Sequence, residues 1–265
     1  MVAQTGAAGN PRPSWRWRLR AIGCNGLRES CVSDLAVAAT TALRLVAHGD
    51  AALVQIVGLS LRVSFAAVLA AALVGLPFGA LLAVARFPGR AALVIATNAL
   101  MGLPPVVAGL LIYLLLSRSG PLGAFGLLFT PTAMVIAQAV LVAPILAALS
   151  RQMLEAMWDE YAEQLRSFRV SAWQAVPTLL WDGRLALLTV LLAGFGRASA
   201  EVGAVMIVGG NIDGFTRMMT TTIALETSKG DLPLALALGA VLMVIVLGVN
   251  AVAQLVRGAS ARWAG

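Results

Sequence analysis

The chain has 265 residues, 60% of them hydrophobic and 12% charged, with a formal net charge of +7 and a mean hydropathy of +0.89. Soluble domains carry about 25% charged residues, so this composition excludes an ordinary soluble enzyme or binding module and requires membrane-spanning helices. The positive balance does not indicate a nucleic-acid partner, because Lys229 is the sole lysine, and an excess of arginine on cytoplasmic loops is what orients membrane proteins.

Residues 1–50 read as an N-terminal extension ending in an amphipathic helix on the membrane surface. Val32–His48 makes a poor span because it carries Asp34 and Arg44, and its apolar run is too short and interrupted for a signal peptide. Arg12, Arg16, Arg18, Arg20 and Arg28 favour the cytoplasm, whereas the first span should begin on the outer side; the placement of residues 1–30 stays open. Cys24 and Cys31 match neither a zinc ribbon nor a Cys-x-x-Cys pair and read as unpaired thiols. His48 is the only histidine, so no histidine metal site or catalytic triad can be assembled. No phosphate-binding Gly-x-x-x-x-Gly-Lys-Ser/Thr loop occurs. No cofactor, metal or ATP hydrolysis is expected of this chain.

Five segments are long and apolar enough to cross a hydrocarbon layer of about 30 Å, which takes about 20 helical residues: Val63–Val84, Ala91–Leu116, Thr132–Ser150, Leu185–Gly210 and Leu232–Val256. The expected fold is therefore an all-α integral membrane protein, with about five transmembrane helices in a domain over 51–257 and a cytoplasmic tail at 258–265. Gly75 and Gly79 in the first segment predict close helix packing. Pro104 and Pro105, after Gly102, break the second near its middle; breaks of this kind recur along transport pathways. Asn98, Gln138 and Asn250 are expected to hydrogen-bond between helices. In the fourth segment Arg197 and Glu201 lie four apart, on one helical face, where they can pair. Charges inside a span are functional hypotheses by default.

Between the third and fourth segments lies a polar island, Met153–Arg184, within a loop over 151–184. It carries Glu155, Asp159, Glu160, Glu163, Arg166, Arg169, Asp182 and Arg184. Charges at mid-membrane cost about 2.5–3.5 kcal/mol each, so the island lies outside the bilayer. Its patterning suggests a charged helix ending before Pro177 that docks a soluble partner. With the island inside, Arg86, Arg90, Arg151, Arg166, Arg169, Arg184, Arg257 and Arg262 are cytoplasmic and only Arg118, Arg217 and Lys229 external, as the positive-inside rule demands. The external stretch Gly209-Gly-Asn211 to Gly214, with Thr220, Thr221 and Thr222, offers N–H and O–H donors suited to an oxyanion.

Several blocks then carry a resemblance: Asn98-Ala-Leu-Met-Gly-Leu-Pro-Pro105, Ser117-Arg-Ser-Gly-Pro121, Pro131-Thr-Ala-Met-Val-Ile-Ala-Gln138, Arg197-Ala-Ser-Ala-Glu-Val-Gly203, Gly209-Gly-Asn211 and Ala224-Leu-Glu-Thr-Ser-Lys-Gly-Asp231. In that order, over roughly residues 50–257, they resemble the permease subunit of a bacterial ABC importer, most closely the tungstate-specific branch of the molybdate/tungstate group. The resemblance implies the importer permease fold with a cytoplasmic coupling helix, in which Glu163-Gln164-Leu165 occupy the positions of a Glu-Ala-Ala motif and Arg169 that of its glycine. Glu160, Glu163, Gln164, Leu165, Arg166 and Arg169 would then meet the ATPase, with Arg169 an extra charged contact. Pro104, Pro105, Arg197, Glu201, Asn211, Thr220 and Thr221 become candidates for the translocation path or its gate. It further implies an inner-membrane homodimer with a separate ATP-binding subunit and a periplasmic binding protein as partners. The implied cargo is a tetrahedral oxyanion, tungstate first, with molybdate, vanadate or sulfate as alternatives. An ATP-independent secondary anion transporter is disfavoured, because no internal repeat is visible.

Overall fold

A computed structural model describes Thr40, residues 51–167 and residues 171–263. Apart from Thr40, the expected surface helix over Val32–His48 lies outside the described residues, as do both cysteines and Arg169.

The described chain is helical: α1 (Ala51–Val84), α2 (Arg90–Met101), α3 (Pro105–Leu116), α4 (Pro131–Ser167), α5 (Ala172–Asp182), α6 (Arg184–Ser199), α7 (Gly203–Gly209), α8 (Met219–Lys229) and α9 (Leu232–Trp263). Among the described residues three helices (α1, α4 and α9) are long and apolar enough to cross a membrane, or five spans if each of two bent helix pairs counts as one. Helices are the expected solution, because in lipid every backbone N–H and C=O must be satisfied within its own segment.

α1 and α4 form the centre and run parallel. Val63 packs with Met134 at one end, and Ala80, Ala83 and Val84 pack with Leu154 and Trp158 at the other. Glycine makes the approach: a Cβ on Gly75 would stand 2.8 Å from the Ala143 carbonyl oxygen, and one on Gly79 2.4 Å from that of Ala147. Lipid tails are as apolar as leucine, so such close van der Waals contact is what holds membrane helices together. A parallel pair is also what alternating spans require, since both helices must run from the outer face inward.

Around this pair the remaining elements close three layers of packing. Val68, Ala71, Val142, Leu146, Leu187, Val190 and Phe195 join α1, α4 and α6. Ala108, Ile112, Ala137, Leu141, Ala204 and Val208 join α3, α4 and α7. Leu53, Met219, Leu238 and Val241 tie α8 and α9 to the start of α1.

Three expectations need correction. α1 reaches back to Ala51, so Arg62 lies within the helix instead of preceding it. α4 does not stop at Ser150; it runs 37 residues in all, from Pro131 to Ser167, because backbone hydrogen bonding continues regardless of where the bilayer ends. The charged helix ends at Ser167, before Pro177 as expected; Pro177 sits inside a further helix, α5, which starts afresh at Ser171, whose N–H and hydroxyl both donate to Gln174 Oε1. Asn250 donates to Val246 O in its own helix, so it does not link helices; Gln138 does, through Ala198 O.

Candidate functional site

Two helix breaks meet beside α4. The first follows from Gly102-Leu-Pro-Pro. Gly102 caps α2 by donating to Ala99 O, and Pro104 O opens the ladder of α3 by accepting from Ala108 N–H. Pro104 is extended at φ −61, ψ 125, and Pro105 takes the first helical position, where its missing N–H costs nothing. The result is a bend of 101° between two 12-residue helices. Each is about 18 Å long, too short to span alone.

The second break falls at Ala200–Val202, between α6 and α7, and charge holds it. Arg197 Nη1 donates to Glu201 Oε2 at 2.7 Å, with the Glu201 side chain 3% exposed and that of Arg197 33%. The other carboxylate oxygen, Oε1, accepts from Ala204 N–H at 3.1 Å, satisfying an orphan donor at the start of α7 as an N-terminal cap does. From α4, Gln138 donates to Ala198 O at 3.1 Å; from α8, the Thr220 hydroxyl donates to Glu201 O at 2.9 Å. The freed carbonyls of the break are thus taken up by neighbouring helices. A Cβ on Gly203 would lie 3.0 Å from Val106 Cγ2 and 3.8 Å from Glu201 Oε1, so the two breaks touch.

The turn after α7 is self-bracing. Gly210 and Asn211 take left-handed φ of 71° and 50°, a conformation asparagine tolerates better than most side chains. Asn211 Oδ1 is buried with no partner. Thr216 donates to Gly209 O at 2.6 Å and accepts from Ile212 N–H at 2.9 Å. Thr221 accepts from Met218 N–H and donates to Met218 O, capping α8. The Thr220 and Thr221 hydroxyl hydrogens are therefore already donated to backbone carbonyls. Sequence reasoning missed Thr216, and also Ser60 of α1, which accepts from Met219 N–H at 2.8 Å. Single hydroxyls in apolar runs were the available signal.

The polar end of α4 is amphipathic. Leu154, Trp158 and Ala162 bury against α1 and α5, while Asp159, Glu160 and Glu163 are exposed. Gln164, Leu165 and Arg166 belong to its last turn by backbone, with side chains outside the described ones. Arg90 and Arg151 both pair with Glu155, and Arg90 Nε donates to Leu82 O at 2.7 Å; charge inside a hydrocarbon core is costly, which favours an edge of the core for this cluster. The structure thus gathers Pro104, Pro105, Arg197, Glu201 and Thr220 at the breaks, and it places Glu160 and Glu163 apart, at the far end of α4. No group of three His, Cys, Asp or Glu among the described residues could hold a metal ion.

Two helix breaks that touch, one of them held by a buried charge, beside one central helix that runs from an apolar stretch into a charged end, define a helical membrane transport subunit. Residues 75–263 match the family described as binding-protein-dependent transport system inner membrane component, and the chain belongs to that family. It is similar to a probable anion ABC transporter permease protein of Haloferax volcanii, 41% identical over 75% of this chain and 88% of the relative. It is similar to a tungstate uptake system permease protein of Peptoclostridium acidaminophilum, at 39% over 80% and 92%. The molybdenum transport system permease protein of Escherichia coli is 30% identical over 67% and 82%. The chain is accordingly an inner-membrane ABC importer permease rather than an enzyme, working with an ATPase and a binding protein.

Proposed function

We propose that this permease carries a tetrahedral oxyanion, tungstate first, as one half of a homodimer. Residues 51–257 form its translocating domain, with 1–50 as an extension and 258–265 as a tail. The observation that carries the coupling is the continuity of α4. One 37-residue helix, about 55 Å long, joins the exposed Glu160 and Glu163 to Gln138, which holds the break at Ala198. A push on the charged end by the closing ATPase reaches that break along one uninterrupted helix, through the turn that holds Pro144. The exposed acids, together with Gln164, Leu165, Arg166 and Arg169, dock on the ATPase. Pro104, Pro105, Arg197, Glu201, Asn211, Thr220 and Thr221 shape the gate, which switches between two packed arrangements as interfaces and cores do. Support for tungstate comes from the relative that carries that name over nearly its whole length.

Reconstitution tests the reading. Co-expressed with its ATPase subunit and supplied with the binding protein in proteoliposomes, the chain should form a complex of two permeases and two ATPases that accumulates tungstate only with ATP. Accumulation of molybdate or sulfate in place of tungstate would reassign the cargo. Accumulation without ATP would overturn the importer mechanism.

A further inference from the structure

Arg62 is the single ionised side chain of α1, and among the described residues no hydrogen bond or ion pair reaches it. Its depth follows from geometry. At about 1.5 Å per residue, Arg62 lies about 30 Å along the helix from Leu82, whose carbonyl accepts from Arg90 in the Arg90–Glu155–Arg151 cluster. The hydrocarbon core is about 30 Å thick, so Arg62 stands at its outer edge. The segment that leads into α8 reaches this level, because Met219 N–H donates to Ser60 Oγ at 2.8 Å, two residues before Arg62, while Gln55 Nε2, further out along α1, donates to Gly214 O at 2.9 Å.

Between these elements lies an open groove of about 390 Å³, whose lining includes Gln55, Gly58, Arg62, Asp213, Gly214 and Arg217. That size falls within the usual range for ligand pockets, about 300–1,000 Å³. Its ionised groups are two arginines and one aspartate, a net charge of one positive. Asp213 is 79% exposed and holds Arg217 Nη1 at 2.8 Å, while Arg217 Nε is buried without an acceptor. Among the described residues nothing engages the Arg62 guanidinium, and its planar fork of donors fits the oxygens of a tetrahedral dianion. A charge placed at a membrane edge merely to reach water would face lipid or headgroups. Arg62 instead shares the lining of one groove with a second arginine, Arg217.

We propose that Arg62 and Arg217 form a cationic mouth that receives the oxyanion after the binding protein releases it and before it enters the membrane. The cargo class rests on the function proposed above; the mouth itself rests on the groove and its charges.

The test uses the complete transporter in proteoliposomes, with Cys24→Ser and Cys31→Ser, and a reporter at Gly58→Cys. Gly58 lies four residues before Arg62, on the same helix face, and a Cβ there meets nothing within 4 Å. An anionic thiosulfonate should label the reporter faster than a cationic one, and Arg62→Gln should lower its rate about fivefold, the factor given by one unit charge at ~4 Å in water. Tungstate should slow labelling by an uncharged reagent in the Arg62 protein and leave Arg62→Gln unaffected. Arg62→Lys should keep the rate preference, having kept the charge, yet lose most of the protection with the fork.

Equal rates with and without Arg62 would overturn the proposal, as would a reporter that does not react, or failure of tungstate, molybdate, sulfate and phosphate alike to protect it. Protection without tungstate transport would instead refute the cargo reading and keep the mouth. Normal tungstate transport with no protection would keep the cargo reading and refute the mouth.

Discussion

The Arg197–Glu201 pair gives the sharpest energetic prediction, because its partners differ in burial. Arg197→Ala would leave the Glu201 carboxylate, 3% exposed, with only the Ala204 N–H to hold it. Breaking a buried pair costs about 3–5 kcal/mol. Water reaching Arg197, 33% exposed, and the remaining bond to Ala204 put the loss near the low end, about 3 kcal/mol. Glu201→Ala removes one charge-assisted hydrogen bond and the cap on α7, again about 3 kcal/mol. The double variant strands no charge, so it should cost about 3 kcal/mol rather than 6, a coupling energy of about 3 kcal/mol. Glu201→Gln, which keeps an acceptor for Ala204, should fall between wild type and Glu201→Ala. The assay is reversible unfolding of the purified transporter in mixed micelles with increasing SDS, read by intrinsic fluorescence. Additive losses would refute the account of the break as a charge-held joint.

Three further outcomes follow from particular contacts. Gly79→Ala should destabilise by about 2 kcal/mol, in the range for overpacking, because its Cβ would stand 2.4 Å from a backbone oxygen; unchanged unfolding of that variant would show that α1 and α4 do not pack this closely. Gln138→Met should change stability by less than about 1 kcal/mol, since it removes the bond to Ala198 O but also an orphaned Oε1 whose burial is itself costly; a loss above about 3 kcal/mol would show that the amide does more. Glu163→Arg should leave membrane insertion intact while ATP-driven uptake falls at least tenfold; normal uptake would remove Glu163 from the coupling contact.

What the sequence made legible was local. The pairing of Arg197 with Glu201 follows from four-residue spacing, the break at Pro104-Pro105 from missing N–H groups, and the close approach at Gly75 and Gly79 from missing side chains. Each needs knowledge of one helix only. The depth of Arg62 was not legible, because a charge near the end of an apolar run reads as its boundary, and only the packing of Ala51–Leu61 against α8 and α9 shows that the helix continues. The continuity of α4 was hidden for a related reason: hydropathy changes at Ser150 while helix propensity does not. Asn250 was misplaced because an amide in a helix can always bond to the carbonyl four residues back, and composition does not say which acceptor prevails. The meeting of the two breaks at Val106 and Gly203 depends on tertiary packing between distant segments and had no sequence signal.

The central claim is ATP-driven oxyanion import through this chain, and the most direct measurement is the metal content of cells with and without it. Cells grown in equal low concentrations of tungstate and molybdate should lose cellular tungsten when the chain is deleted, keep their molybdenum, and recover tungsten when it is restored. Tungsten content independent of the chain would contradict tungstate as its cargo, and unchanged tungsten, molybdenum and sulfate uptake together would contradict oxyanion import altogether.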